Sequence, residues 1–538
     1  MDFQRRFYEM DDSKDDLKDV FPHVANYPLT TKVDEMHVRL LWVIDQEFKK
    51  SPSYLEKDLL ALASLEIFRE ISFFALTFEG CRSHHLNINS SDHLTREVFE
   101  GLFEQEYAFP RERLSELLGG QNVFRKHLKK TLGGSILKVR KHANLGHVYR
   151  GNANKLALQV KTNNFGSVLP ILHHIIERRT SVNIRRDIAD FIKYLSEILV
   201  TEVETTLGEL PYELRQYIED LIIRRCQETW EDMNFPFHKY INNQNGLFLS
   251  GTSGNYYDRL ISYAFYRHDL KVIRFGHGAD RGLFDDFSWE VIDLAFADVY
   301  VAHGEGESEV LSGRTSRLQL PSISNSSVKF IDFGSDYHRS ISDIFSVDTG
   351  GQVNKNYRKN VVIGAPAFSG TARAMPFIKP HDFVCFDLQI KTLNMVNRLG
   401  YNPLIKRHPK GKLAGRAIYS HYGANEIFGQ NFVQCTTMAD AYVFSVAGSA
   451  FVEALCTMKP VVLLNIPYRP FNKDIFSNME QCCEIIDVDV DHSGHLDIDA
   501  SRLRDAIESD VDVNKRFQFL ERYLFNGRFD VADFMELF

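Results

Sequence analysis

Three groups of residues in this chain have the types and spacing to do ligand chemistry. The most informative is the run 443–460, VFSVAGSAFVEALCTMKP. A short apolar stretch leads into Gly448-Ser449, and a helical pattern begins at once. The start of a helix presents unpaired backbone N–H groups and partial positive charge. Gly448 would let a phosphate approach closely, and the Ser449 hydroxyl could cap the helix or donate to a phosphate oxygen. Glu453 lies one turn further on the same face, placed to accept from ribose hydroxyls. A Gly-Ser pair alone is an ordinary helix start. Glu453 and the following strand pattern Lys459-Pro460-Val461-Val462 sharpen it.

The second group is Ile405-Lys406-Arg407-His408-Pro409-Lys410-Gly411, a cluster of cationic or potentially cationic side chains at the end of an apolar run. Pro409 stops the run and fixes the loop. Lys406 and His408 could offset phosphate charge, and a histidine can also donate to a departing phosphate. A basic strand end standing alone is usually just solvated. The third group is the run 275–287, FGHGADRGLFDDF. Glycines on both sides of His277 let backbone come close to a ligand. Asp280, Asp285 and Asp286 add carboxylates. Removing a hydroxyl proton from an acceptor needs a carboxylate or a histidine, and Asp280 and His277 are the leading candidates. The competing reading is a turn with a capped helix.

The elements that must hold these residues follow from periodicity. Up to about residue 235 the pattern is mainly helical, with apolar steps of three and four in 37–48, 59–76, 168–178, 188–199 and 212–230. From 246 onward short apolar runs alternate with amphipathic stretches. The run 247–250 precedes a helix over 256–267. The run 271–275 ends in Gly276-His277-Gly278, and 298–302 ends in His303-Gly304-Glu305-Gly306. This β–loop–α rhythm is that of a parallel sheet covered by helices. Residues 346–359 read as a linker. The rhythm then restarts with strands at 360–364, 403–406, 441–445 and 460–464 and helices at 386–399 and after 449. The expected fold is therefore α/β, with two Rossmann-like lobes after a long helical region. The divisions are 1–235, 236–350 for the first lobe and 351–538 for the second. In open parallel sheets ligands bind beyond the carboxyl ends of the strands, which is where all three groups fall.

Bulk properties narrow the function. A length of 538 residues exceeds one hydrophobic core. A formal net charge of −9 argues against a protein devoted to duplex nucleic acid. Seven irregularly spaced cysteines, with no CxxC pair, fit a reducing, cytoplasmic setting, and adjacent Cys482 and Cys483 read as core residues. The N-terminus lacks the apolar core of a secretory signal, and no uncharged apolar run spans a bilayer. The basic segment 125–142 carries seven Lys or Arg. It reads as a solvated helical surface, or as a contact for anionic lipid at the inner membrane or for an anionic glycan. Asp487, Asp489 and Asp491 alternate along a strand and point to solvent, so no metal site is assigned.

His408-Pro409, followed some forty residues later by Gly448-Ser449 and Glu453, resembles the nucleotide-binding half of GT-B glycosyltransferases that build bacterial surface polysaccharides. The resemblance covers roughly 246–538. It is greatest to enzymes using CMP-activated acidic sugars: the sialyl- and polysialyltransferases and the Kdo transferases of capsule and lipopolysaccharide assembly. The CDP-glycerol polymerases of teichoic acid synthesis share the pattern. The resemblance implies an inverting transfer from a CMP-linked donor to a glycan or glycolipid acceptor, with no cofactor. His408 would contact the donor phosphate and assist nucleotide departure, Gly448 and Ser449 would hold the same phosphate, and Glu453 would reach the ribose. The sialyltransferases carry an acidic-acidic-Gly motif where this chain has Gly278-Ala279-Asp280-Arg281-Gly282. The base stays open among Asp280, His277, Asp285 and Asp286. Alternatives are a CDP-polyol phosphotransferase, a nucleotide-sugar epimerase of the same fold, and a non-catalytic scaffold in polysaccharide assembly.

Overall fold

A computed structural model of the protein describes residues 27–51, 53–83, 143–145, 165–167, 183–239, 241, 247–251, 256–276, 278–285, 293–315, 328–346, 358–367, 382–408, 417–429, 432–467, 470–490 and 496–528. Among the described residues four long helices come first: α1 (Tyr27–Lys50), α2 (Tyr54–Ser83), α3 (Arg186–Leu207) and α4 (Tyr212–Met233). Helix α2 is apolar on nearly every side, and a helix of that kind must be enclosed. Leu59, Leu62, Leu65 and Phe68 are buried, and α1, α3 and α4 pack around them. Each such side chain contributes roughly 1.5–3 kcal/mol when taken out of water.

The same core runs on into the first sheet through Phe248 and Phe265. One buried ion pair spans the junction and a second ties two of the N-terminal helices. Glu66 of α2 meets Arg259 at 3.0 Å, and Glu70 meets Arg225 of α4. Burial alone would push Glu66 up. The guanidinium groups of Arg69, Arg259 and Arg225 outweigh it and hold the carboxyl at about 2.

The first sheet contains β1 (Ala143–Leu145), β2 (Phe165–Ser167), β3 (Leu247–Ser250), β4 (Lys271–Phe275), β5 (Val299–Ala302) and β6 (Lys329–Asp332). Its order is β2-β1-β3-β4-β5-β6 and every pairing is parallel. Helices α5 (Tyr256–Arg267), α6 (Glu305–Thr315) and α7 (Asp336–Ser346) follow β3, β5 and β6. The sequence gives little sign of β1 and β2. They are three residues each, ANL and FGS, too short to show alternation. The region expected to be mainly helical thus also supplies two strands to the first sheet.

The second sheet contains β7 (Asn360–Gly364), β8 (Asn402–Lys406), β9 (Asn425–Ile427), β10 (Ala441–Phe444), β11 (Val461–Asn465) and β12 (Glu484–Asp487), in the order β12-β11-β10-β7-β8-β9. It is again parallel throughout. The strand order reverses beside β7, between β8 and β10, so a crevice opens at the carboxyl ends of those strands. A small antiparallel pair, β13 (Asp489–Val490) and β14 (Leu496–Asp497), lies outside it. Helices α8 (Asp382–Arg398), α9 (Phe432–Cys435), α10 (Ser449–Leu455), α11 (Lys473–Met479), α12 (Ala500–Glu508) and α13 (Val513–Leu520) complete the lobe.

The fold is thus α/β with two Rossmann-like lobes and a helical N-terminal region. Contacts besides the chain crossing join the lobes. Phe284 stacks on Phe471 at 4.6 Å, with Asp285 N donating to Pro470 O and Asn472 N to Leu283 O. The segment after α13 returns to the first lobe. Ser335 N donates to Leu524 O at 2.7 Å, and Arg528 pairs with the fully buried Asp332 at 2.7 Å. No described helix is long and apolar enough to cross a membrane. The basic segment 125–142, the expected helix 168–178 and most of the expected linker lie outside the described residues.

Candidate functional site

The strand ends of the two sheets face one another, and Gly278 comes close to Ser449. A Cβ added to Gly278 would lie 2.5 Å from Ser449 Oγ and 2.9 Å from Asp280 Oδ1, so a side chain there would have to displace both and would also be strained at this positive φ. Gly278 (φ +87°) and Ala279 (φ +58°) are consecutive left-handed residues, and they turn the loop sharply against the other lobe. Ser449 is the first residue of α10 and is exposed. Gly448 before it occupies the cap position with no side-chain cap bond.

Glu453 follows one turn along α10. Its Oε1 accepts from Tyr337 Oη at 2.9 Å, a bond that crosses between lobes. Burial raises the Glu453 carboxyl to about 7, while the Tyr337 hydroxyl and the charge of Lys406 pull the other way. Lys406, the last residue of β8, is buried and donates to the Arg407 carbonyl at 2.6 Å. Its ammonium pKa is lowered, first by burial and also by Arg407, with Glu453 opposing. His408 is exposed two residues past the end of β8.

Arg407 does not share the task expected of that cationic group. It turns inward to Glu426 at 2.8 Å, and both side chains are buried. Glu426 in turn accepts from the backbone N–H groups of Tyr419 and Ser420. Arg407 therefore pins β8 to β9 and the turn before it. Its alternation within the strand end, opposite in facing to Lys406, carries the reason. Pro409, Lys410 and Gly411 lie outside the described residues.

In the first lobe Asp280 is tied to Arg281 at 2.8 Å, and the buried Arg281 also holds Asp293 at 3.0 Å. Arg274, fully enclosed, donates to the Asp293 carbonyl and to Ser262. This ionic chain anchors the Gly278–Asp280 turn to the sheet beneath. Asp285 is exposed and occupied at its backbone by the second lobe. His277 and Asp286 lie outside the described residues.

Four residues of this region were not singled out from the sequence. His303 follows β5 directly, and its Nδ1 lies 2.9 Å from Glu307 Oε2. Glu307 also accepts from His303 N at 2.9 Å and from Tyr300 Oη at 2.9 Å. His338 meets the His303 ring edge-on at 5.7 Å, and its Nδ1 faces Ser335 Oγ at 2.8 Å. Burial, helped by His303, drives the His338 imidazole down to about 3, so it is neutral. Tyr337, its neighbour, makes the bond to Glu453. A signal was present only for the strand end that carries Tyr337 and His338. VKFIDFGS at 328–335 is a short apolar run ending in Gly-Ser before a helix, the same grammar as 443–449.

Cys226, Cys385, Cys435, Cys456, Cys482 and Cys483 are buried. Asp487 ends β12 and accepts from Asn465 at 2.7 Å. No group of three or more His, Cys, Asp or Glu among the described residues is arranged to hold a metal ion.

The arrangement defines a two-lobed α/β protein whose strand-end loops meet between the lobes. No family profile matches the sequence, and no curated protein does. Among solved structures, similarity is found to the glycosyltransferase SnogD from Streptomyces nogalater, with 10% identity over 71% of this chain and 94% of that one and a TM-score of 0.27. It is also found to UGT89C1 from Arabidopsis thaliana in complex with UDP, with 10% identity over 71% and 94% and a TM-score of 0.34. The glycotransferase of kitacinnamycin aligns at 10% identity over 72% and 95%, with a TM-score of 0.32. Superpositions this loose transfer no substrate and no residue role.

Proposed function

We propose that the protein is an inverting GT-B glycosyltransferase with its nucleotide-sugar donor in the second lobe and its acceptor against the first. The observation that carries this reading is the meeting of Ser449 with the Gly278 turn, next to the cross-lobe bond between Glu453 and Tyr337. A hydroxyl, an acceptor carboxyl and the Lys406 ammonium converge at the crevice of a parallel sheet, where phosphate and ribose need those groups. Ser449 would donate to a phosphate oxygen, with Gly448 allowing close approach. Lys406 and His408 would offset charge as the nucleotide departs. Glu453 has its second oxygen for the ribose. The acceptor hydroxyl would lose its proton to a first-lobe group, for which Asp280 and His277 are the sequence candidates.

For the donor we infer a CMP-linked acidic sugar, Kdo or a nonulosonic acid, on the strength of the His408-Pro409 and Gly448-Ser449 resemblance. The acceptor class would be a bacterial surface glycan or glycolipid. We place the protein in the reducing interior of a cell, on its seven irregularly spaced cysteines with no CxxC pair.

The test is transfer and donor hydrolysis with His408→Ala. Loss of one electrostatic stabiliser of a leaving group costs about 2.7–4 kcal/mol, roughly a hundred- to thousandfold in rate. Activity near the wild-type level would show that the donor phosphate sits elsewhere.

A further inference from the structure

We propose that His303, oriented by Glu307, is the general base of the transfer, a role that rests on the glycosyltransferase reading above. His303 stands at the carboxyl end of β5, in the layer of loops that faces the second lobe. Its Nδ1 is engaged by Glu307 at 2.9 Å. Glu307 is itself held by the His303 N–H and by the Tyr300 hydroxyl, each at 2.9 Å, so the imidazole plane has little freedom. A carboxylate can only accept, so this contact puts the ring proton on Nδ1 and leaves Nε2 as the basic nitrogen.

Both flanks of His303 lead to the proposed donor site. On one side is Gly276, where a Cβ would stand 2.9 Å from His303 Nδ1 and 3.1 Å from Glu307 Oε1. The chain crosses the pair there with no side chain between and reaches Ser449 two residues later. On the other side the His338 ring touches His303 edge-on, and its neighbour Tyr337 binds Glu453. His338 adds no positive charge beside His303, because it is neutral.

Asp280 is the weaker base on the same geometry. Its carboxylate is already neutralised by the buried Arg281, which suits it to fixing the turn. In the proposed step the acceptor O–H bond breaks and Nε2 takes the proton. The acceptor oxygen bonds the anomeric carbon as the anomeric C–O bond to phosphate breaks, and that electron pair leaves with the nucleotide. The resulting imidazolium is balanced by Glu307 and returns its proton to solvent. Glu307 is a positioning residue.

The experiment measures CMP release and transfer from CMP-sialic acid and CMP-Kdo to a sialylated or Kdo-bearing oligosaccharide. Wild type is compared with His303→Asn, His303→Gly and Glu307→Gln, each checked for CMP binding by thermal shift. Asparagine keeps a donor towards Glu307 but has no basic nitrogen. H303N is expected to bind CMP as wild type does and to lose transfer about 10²–10⁴-fold, the usual contribution of a general base. H303G should regain transfer, saturably, with added imidazole, which a lost fold would not. E307Q should lower kcat with little change in the donor KM. A H303N protein transferring within a few-fold of wild type overturns the proposal and leaves the pair as an anchor for the start of α6. A wild type that binds CMP and transfers nothing overturns the glycosyltransferase reading together with it, so the two failures are told apart.

Discussion

At the scale of single residues, Glu453 and His338 sit a short distance apart with opposite responses to pH. Burial lifts Glu453 from 4.5 to about 7 and lowers His338 from 6.5 to about 3. The folded protein therefore holds a proton on Glu453 that the unfolded chain releases, a contribution present below 4.5 and lost as pH rises through about 7. His338 works the other way. The unfolded chain binds the proton first, so that contribution is present above 6.5 and lost as pH falls towards about 3. Between 4.5 and 6.5 the two slopes oppose. His338→Gln removes one of them, so its stability relative to wild type should be better at pH 5 than at pH 8 by about 1–2 kcal/mol. Urea unfolding at the two pH values measures this, and an identical difference at both would contradict it. If Glu453 accepts from a ribose as a carboxylate, nucleotide affinity should rise between pH 6 and pH 8 in calorimetric titration and be flat in Glu453→Gln. Tyr337→Phe removes a donor that favours the anion, so it should move the wild-type midpoint upward.

At the scale of elements, the segment after α13 ties the second lobe back to the first. Arg528 makes a two-pronged contact with Asp332 at the end of β6, and its own backbone N–H donates to the same carboxylate at 2.8 Å. Asp332 is wholly buried, so losing the guanidinium leaves an acceptor with one remaining donor. Arg528→Ala should cost about 1–3 kcal/mol. A double-mutant cycle with Asp332→Asn should return most of that as coupling, and additive effects would mean that the segment is held by packing alone. The sequence made the elements around the cleft legible to different degrees. Runs such as LFLS, KVIRF and NVVIG, bounded by Gly and polar residues, mark the strands within a residue of their ends. The triplets at 143–145 and 165–167 are too short for any period. Their place beside β3 is set by sheet pairing over long sequence distances. At the site, Gly448, Ser449, Glu453 and Lys406 were legible because they follow strands of ordinary length. Tyr337 was not, because its partner lies 116 residues away. The His303–Glu307 pair was written in the sequence as an i, i+4 step at a strand end, yet no local pattern separates it from a helix start. Arg407 shows the reverse case, a charge in a basic run that the fold turns towards a buried glutamate.

At the scale of the whole molecule, the N-terminal helices share one continuous core with the first sheet, so that lobe is a rigid platform. The second lobe meets it through the Phe284–Phe471 stack, the returning C-terminal segment and the Tyr337–Glu453 bond. A ligand that fills the crevice touches both lobes and should stabilise the molecule as a unit. Binding at a concentration one hundred times Kd is worth about 2.7 kcal/mol. The most direct test is a thermal-shift panel of CMP, CDP, UDP and GDP on wild type and on Ser449→Ala and Lys406→Met. The account predicts a single cooperative transition raised most by the cytidine nucleotides, with the rise reduced in both variants. No shift with any nucleotide, or an undiminished shift in both variants, would contradict a donor site at Ser449 and Lys406.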